Sequence, residues 1–197
     1  MNDKLLANIR FHFAQCVFTS KCHFKSYDRL MKKKKCLSNF IKFTSIATLF
    51  VLILQIFGFQ GRYQALLNIL SYVGLLLTGI SLAFEMFNKD DVIQEIARHK
   101  KYAEKYNTLR DKYMDLIEET VSSTIPDERI KEKRDALQKR YSKLGENSPQ
   151  TANDDYMKAQ SRLGLTENNN EEFTWSDKDI DKFLPERLRL NNQTTSK

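Results

Sequence analysis

Two long runs without a charged residue limit what this chain can fold into more than any other feature of its sequence. The first covers residues 43–61 and the second residues 63–84, and Arg62 alone separates these runs of 19 and 22 residues. At about 1.5 Å per helical residue, each run is about long enough to cross a hydrocarbon core of roughly 30 Å. The 42 residues before the first run exceed the n-region of a secretory signal peptide. The sequence therefore predicts a transmembrane hairpin of two helices.

The overall composition alone would indicate a different class of protein. A net charge of +7 and a mean hydropathy of −0.53 are typical of a soluble basic protein, such as one that binds nucleic acid. The averages mislead because the apolar residues are concentrated in the two runs. We therefore expect an all-α membrane protein with large polar ends, in contact with the lipid bilayer and without direct binding of nucleic acid.

The distribution of Lys and Arg predicts the orientation of the hairpin. Residues 1–42 contain ten of these basic residues against two Asp, whereas the connection between the runs carries Arg62 alone. Five more basic residues follow the second run, from Lys89 to Lys105. By the positive-inside rule, we expect a multi-pass protein with both termini in the cytoplasm.

Four regions are expected along the chain. They are a basic cytoplasmic N-terminal helix (1–42), the two-helix transmembrane hairpin (43–87), a cytoplasmic helical region (88–165) and a flexible polar tail (166–197). Within the N-terminal helix, residues at steps of three and four share one face: Leu6, Ile9, Phe13, Cys16, Ser20, Phe24, Tyr27 and Met31. This face would pack on another cytoplasmic helix or lie on anionic headgroups, and the pattern leaves both open. In the second case a basic cluster would anchor it: Lys32, Lys33, Lys34, Lys35 and Lys42.

The second spanning helix is predicted to continue into the cytoplasm. No Gly or Pro occurs between residues 81 and 125, so nothing breaks a helix before about Val121. Its cytoplasmic part carries an apolar stripe: Val92, Ile96, His99, Ala103, Tyr106, Leu109, Tyr113 and Leu116. On this stripe His99 is expected to be a packed, hydrogen-bonded histidine rather than a proton sensor.

A turn at residues 123–126 is predicted to precede a helix that folds back on this extension as a helical hairpin. The returning helix is expected to end at Gly145, and its packed side is marked by four residues: Ile130, Leu137, Tyr141 and Leu144. A short helix is expected over residues 154–163. In the tail, four apolar residues indicate docking onto a partner or onto the body of the protein: Phe173, Trp175, Phe183 and Leu184.

Each spanning helix carries a seam of small or polar residues. We call these residues the hairpin seam: Thr44, Thr48, Gln55 and Gly58 on the first helix, and Asn68, Ser71, Gly74, Thr78, Ser81 and Glu85 on the second. Small residues let membrane helices approach closely, and hydroxyls and amides bond across the contact. Alternatively, several copies together would line a water-filled path with the seam, because two helices cannot enclose a pore. The periodicity alone favours packing.

The sequence offers little for catalysis or metal binding. It contains no phosphate-cradling glycine loop, no HExxH and no G-x-S-x-G. Four residues could be read as metal ligands, but their spacing matches no common zinc pattern: His12, Cys16, Cys22 and His23. Three cysteines, also counting Cys36, is an odd number on the reducing side of the membrane, which argues against a disulfide framework. We expect no enzyme activity, no cofactor and no bound metal.

The order of features resembles the SLATT domain, the two-transmembrane effector associated with SMODS nucleotidyltransferases and SLOG sensors in bacterial conflict systems. The resemblance covers roughly residues 5–165. It rests on the run KCHFKSYDRL at residues 21–30, the two closely spaced spanning helices, AEKYNTLR at 103–110, IPDERI at 125–130 and Tyr141. The family has no catalytic residues to carry over, and its pore residues are not fixed by any motif.

The resemblance implies a pore-forming or membrane-disrupting effector of antiviral defence in the bacterial inner membrane. It would oligomerise through its hairpin and be triggered by an operon-encoded nucleotidyltransferase, sensor or reverse transcriptase, leading to abortive infection. An alternative is a membrane-anchored interaction module, whose cytoplasmic helices recruit a partner without forming a pore. Direct ligand sensing through Arg98, Lys101 and Arg110 is a third reading, although their spacing also fits a solvated helix face.

Overall fold

The structure is a computed structural model, and it describes residues 3–56, 63–165 and 175–190. Helix α1 covers Asp3–Ile56, α2 Gln64–Val121, α3 Asp127–Asn147, α4 Asn153–Arg162 and α5 Asp177–Asp181, and a 3-10 turn follows at Glu186–Leu188. These ranges contain no strand. The predicted all-α fold is confirmed.

Two helices of unusual length dominate the fold. Helix α1 is continuous from Asp3 to Ile56, because neither Gly nor Pro occurs within it to interrupt the backbone hydrogen bonds. Helix α2 ends at Val121, as predicted. Beyond it Ser123 adopts a left-handed conformation with φ 51°, and Pro126 caps the start of α3. Helix α3 runs two residues past the predicted end at Gly145.

The chain divides into two compact units, which we call the first and second units. The first unit combines Met1–Tyr27 with Ala97–Lys197, and the second is Asp28–Ile96. Both long helices contribute to each unit. The region boundaries expected at residues 42, 87 and 165 follow from charge and hydropathy alone, and they stay predictions.

The first unit buries the stripe predicted on α2. From His99 to Leu116 all its members are buried, as is Ile96 at the edge of the second unit. Leu109, Tyr113 and Leu116 share one core cluster with Ile130 and Leu137 of α3. Lys133 Nζ also lies 2.7 Å from a carboxylate oxygen of Glu119 on α2. The rings of Tyr106 and Tyr141 meet edge to face. Helix α3 therefore folds back on α2 as the sequence predicts.

On α1 the predicted face is correct up to Ser20 and wrong after it. Phe24 and Tyr27 are only half-buried, and Met31 is exposed. The buried positions after Ser20 are instead Cys22, His23, Ser26 and Leu30, and the pattern missed the polar residues His23 and Ser26. They are buried because each has a polar partner inside the first unit, as described below.

Residues 175–190 differ from the flexible tail expected for residues 166–197. Ile180 and Leu184 are buried in the core of the first unit, and Trp175, Phe183, Leu188 and Leu190 pack against it. Ser176 caps α5 by accepting a hydrogen bond from the Asp179 amide. The sequence left open whether these apolar residues dock onto a partner or onto the body of the protein. The structure shows that Trp175, Phe183 and Leu184 dock onto the body. Phe173 lies outside the described residues.

Candidate functional site in the apolar hairpin

In the second unit, three small residues of the hairpin seam bring the two apolar helix segments into close contact. A Cβ atom added to Gly74 would stand 2.8 Å from Thr48 Oγ1, which is shorter than real Cβ contacts. The hydroxyl oxygens of Thr48 and Thr78 are 3.4 Å apart. Thr48 also donates to the Thr44 carbonyl, at 2.9 Å. The lack of a side chain at Gly74 thus permits this approach, as in other small-residue contacts of membrane helices.

A second polar contact lies nearer the connection between the helices. Gln55 Nε2 is 3.4 Å from the carbonyl oxygen of Leu67 and 3.4 Å from Oδ1 of Asn68. These distances are at the long end of hydrogen bonding. Gln55 is half-buried and Asn68 is exposed, so this amide pair also faces outward from the hairpin.

The remaining described seam residues satisfy their hydroxyls within one helix or are simply buried. Thr44 donates to the Ile41 carbonyl at 2.9 Å, and Ser71 donates to the Leu67 carbonyl at 2.9 Å. Ser81 is buried. Gly58 and the side chain of Glu85 lie outside the described residues. The structure therefore brings together Thr48, Gly74 and Thr78, and separately Gln55 and Asn68.

The outer surface of the hairpin is strongly apolar. Side chains such as Phe43, Ile46, Tyr72 and Leu75 are between 68% and 75% exposed. The described helices contain two segments long and apolar enough to cross a membrane, one in α1 and one in α2. Such an apolar face is stable in a lipid bilayer and unfavourable in water. The predicted basic cluster, from Lys32 to Lys35 with Lys42, is exposed throughout.

A family model described as "SMODS and SLOG-associating 2TM effector domain family 4" matches residues 5–179. The chain belongs to the SLATT family. It is therefore a helical membrane protein carrying a two-transmembrane effector domain, and the resemblance seen in its sequence is confirmed. No curated protein and no solved structure matches the chain.

The first unit of this SLATT protein holds two polar sites that the sequence patterns missed. One is a histidine pair, in which His23 Nδ1 lies 3.1 Å from His99 Nδ1 and both side chains are buried. The His23 ring stacks on Tyr106. Burial, and then the neighbouring His99, lower the pKa of His23 to about 4. His99 is thus the packed, hydrogen-bonded histidine that its stripe predicted, and its partner could not be read from the sequence.

The other missed site is a buried ion pair that holds the C-terminal segment. Arg10 is 1% exposed, and its Nη2 donates to Asp181 Oδ1 at 2.8 Å. The same nitrogen lies 3.4 Å from Oδ1 of Asp177. Arg10 is not among the residues predicted to share the packed face of α1, yet the structure buries it. Arg10 is adjacent to Ile9 on the packed face, and it is buried because carboxylates 167 and 171 positions away in the sequence pair with it.

A further buried polar contact joins α1 to α4. Ser26 Oγ donates to Asp155 Oδ2 at 2.7 Å. Nearby, Ser20 Oγ donates to the Ala103 carbonyl at 3.0 Å. Such contacts fix the register between helices, because a buried hydroxyl or carboxylate without a partner would cost free energy.

Cys16 and Cys22 are poorly suited to bind metal or act as nucleophiles. Burial raises the pKa of Cys22 to about 12, and it also raises that of Cys16. A thiol protonated at neutral pH is a weak ligand and nucleophile. Among the described residues, no group of three or more His, Cys, Asp or Glu side chains could hold a metal ion.

Proposed function

We propose that this SLATT protein is a regulated membrane effector that assembles from several copies and opens a water-filled path across the bacterial inner membrane. The observation that carries the proposal is the outward-facing amide pair, Gln55 and Asn68, on an otherwise apolar hairpin. A polar amide facing lipid is unfavourable. Contact with another copy or with water would remove that cost.

The two polar contacts of the hairpin would then have separate roles. Thr48, Gly74 and Thr78 hold the two helices of one copy together, whereas Gln55 and Asn68 face the path between copies. The apolar outer face supports insertion in the bilayer. Both termini lie in the cytoplasm, where an operon-encoded nucleotidyltransferase, SLOG sensor or reverse transcriptase would supply the trigger.

The test is the membrane potential of bacteria that express the chain with its neighbouring genes, followed with a voltage-sensitive dye. We expect Gln55→Leu and Asn68→Leu to prevent depolarisation while the protein still inserts. Leu52→Ile and Ile69→Leu, which change exposed apolar residues at neighbouring positions, are matched controls and should depolarise normally. Normal depolarisation by both amide variants would remove the pair from the mechanism.

The alternative function is a membrane-anchored interaction module. The observation that favours this alternative is the well-packed first unit. In that case replacing residues 43–87 with an unrelated two-helix hairpin would preserve function. Loss of function after this exchange, with the first unit still folded, would instead favour the pore.

A further inference from the structure

A groove between α2 and α3 in the first unit is lined by positively charged side chains. It encloses about 510 Å³. Two cations come from α2 and two from α3, and we call these four residues the cationic groove: Lys105, Lys112, Arg140 and Lys143. Lys105 and Lys112 are two helical turns apart, and Arg140 and Lys143 are one turn apart, so each pair shares a helix face.

The groove itself is lined by cations without carboxylates. In the described ranges none of its four cations forms an ion pair, and no Asp or Glu is among the groove's lining residues. Other cations of the same two helices are paired, as Lys133 is with Glu119 at 2.7 Å and Arg110 with Asp111 at 2.6 Å. Like charges on facing helices repel one another, and a bound anion would remove that repulsion.

Apolar, aromatic and uncharged polar side chains also line the groove. Leu109 forms an apolar floor and is 4% exposed. The half-buried ring of Tyr102 lies at one side, with Lys105 Nζ 4.9 Å from its centre. The hydroxyl of Thr108 and the amide of Asn147 also line the groove. Its volume is within the range typical of small-molecule sites, and an aromatic surface beside clustered cations suits a ring that carries phosphates.

We propose that the cationic groove binds a phosphate-bearing small molecule of nucleotide size. The four cations hold the phosphates, and the ring of the ligand lies against Tyr102 and Leu109. The adjacent cavity toward the α2–α3 turn shares Lys112 and Arg140 with the groove and adds Lys133, Asp115 and Glu119, so its charges nearly balance and it attracts such a ligand less strongly. This site does not depend on the hairpin forming a pore, because all its residues lie in the first unit.

The experiment measures binding of a fluorescent N-methylanthraniloyl ATP to the full chain in phosphatidylcholine nanodiscs, by fluorescence anisotropy. We expect the double variant Lys105→Gln/Arg140→Gln to weaken binding about tenfold or more, since it removes two charge-assisted contacts. The matched control is Lys131→Gln/Lys158→Gln, which removes the same charge from exposed positions outside the groove. It should change the affinity less than about twofold.

Competition then distinguishes the source of the phosphate. Displacement of the probe by inorganic tripolyphosphate supports a soluble ligand. Loss of probe binding in nanodiscs that contain phosphatidylglycerol, in the unaltered chain and in the Lys131→Gln/Lys158→Gln control alike, supports a lipid headgroup in the same groove. Equal weakening by the two double variants, or no binding to the unaltered chain at millimolar probe, overturns the proposal. Circular dichroism checks that both double variants remain folded.

Discussion

The two units of this SLATT protein differ in which side chains they bury and which they expose. The first unit buries an arginine, two histidines and two aspartates among its apolar core. The second unit exposes most of its described large apolar residues, and the polar groups buried among its described side chains are the hydroxyls of Thr44 and Ser81. A unit in water can bury charge where a distant partner is provided, whereas helices in lipid must satisfy polar groups locally. The difference is the one expected of a chain with one unit suited to water and the other to lipid.

The strongest test of this contrast is removal of the buried cation of the first unit. Arg10→Leu leaves Asp181 buried without its partner, and we expect a loss of about 3–5 kcal/mol in the free energy of unfolding. Urea denaturation followed by the emission of Trp175, the one tryptophan of the chain, measures it. Release of the C-terminal segment should also shift that emission to longer wavelength.

The control for this variant is Arg129→Leu. Arg129 is 73% exposed and lies 3.8 Å from Glu132, so its loss should cost less than about 0.5 kcal/mol. Equal effects of the two variants would show that the Arg10 pair is no more important than a surface contact. The double variant Arg10→Leu/Asp181→Leu should recover part of the stability, since no unpaired charge is left buried.

The histidine pair makes the stability of the first unit depend on pH. Burial and His99 lower the pKa of His23 from 6.5 to about 4 in the folded chain, so between these values the unfolded chain binds more protons. Stability is therefore complete above about pH 6.5 and falls as the pH decreases toward 4, by on the order of 3 kcal/mol. His12, whose pKa burial and Arg134 also lower, acts in the same direction.

Thermal unfolding between pH 4 and pH 8 measures this dependence, with His23→Gln as the comparison. The variant should be less sensitive to pH in that window, because it no longer loses a proton on folding. An identical pH dependence in both proteins would assign the effect to other groups.

In the second unit, a methyl group at one glycine should separate the helices. Gly74→Ala places a Cβ against Thr48, and Gly79→Ala, on the same helix, meets nothing within 4 Å. Both gain the same helix propensity, so their difference reports the contact. We expect Gly74→Ala to be less stable than Gly79→Ala by about 1–3 kcal/mol, measured by thermal denaturation in detergent. Equal stabilities would mean that Thr48 moves aside without cost.

The smallest expected effect is that of a single seam hydroxyl. Thr48→Val keeps the shape of the side chain and removes its contact with Thr78, which should cost about 0.6 kcal/mol. Ser45→Ala removes an exposed hydroxyl that bonds only its own helix and should cost less. A cost several times larger for Thr48→Val would show that polar contacts dominate the hairpin.

Much of the fold could be predicted because its pattern is local. The α2 stripe from Ile96 to Leu116 is buried as expected, since apolar residues at helical spacing have one way to leave water. The exceptions are Phe24 and Tyr27 on α1, which are only half-buried. The polar residues His23 and Ser26 are buried instead. Periodicity weighs each residue by its own hydropathy and cannot detect a hydrogen-bond partner that is distant in sequence.

The candidate site divides in the same way. The sequence identified Thr48, Gly74 and Thr78 as members of one seam, because small residues at steps of four are visible along a helix. It did not show that Gln55 and Asn68 form a separate contact. It also gave no sign of the cationic groove, whose two cation pairs lie on different helices and become one surface only when α3 packs on α2.

By itself, the sequence determined that this chain is helical, that two of its segments are apolar enough to span a membrane, and where α2 ends. These properties follow from uncharged runs, helical spacing and the position of Gly and Pro, which act over a few turns of helix. Only the tertiary structure decided that Arg10 and His23 are buried and that residues 175–190 join the core. Those outcomes depend on contacts between residues up to 178 positions apart, and the free energy of burying a charge is set by the partner it meets.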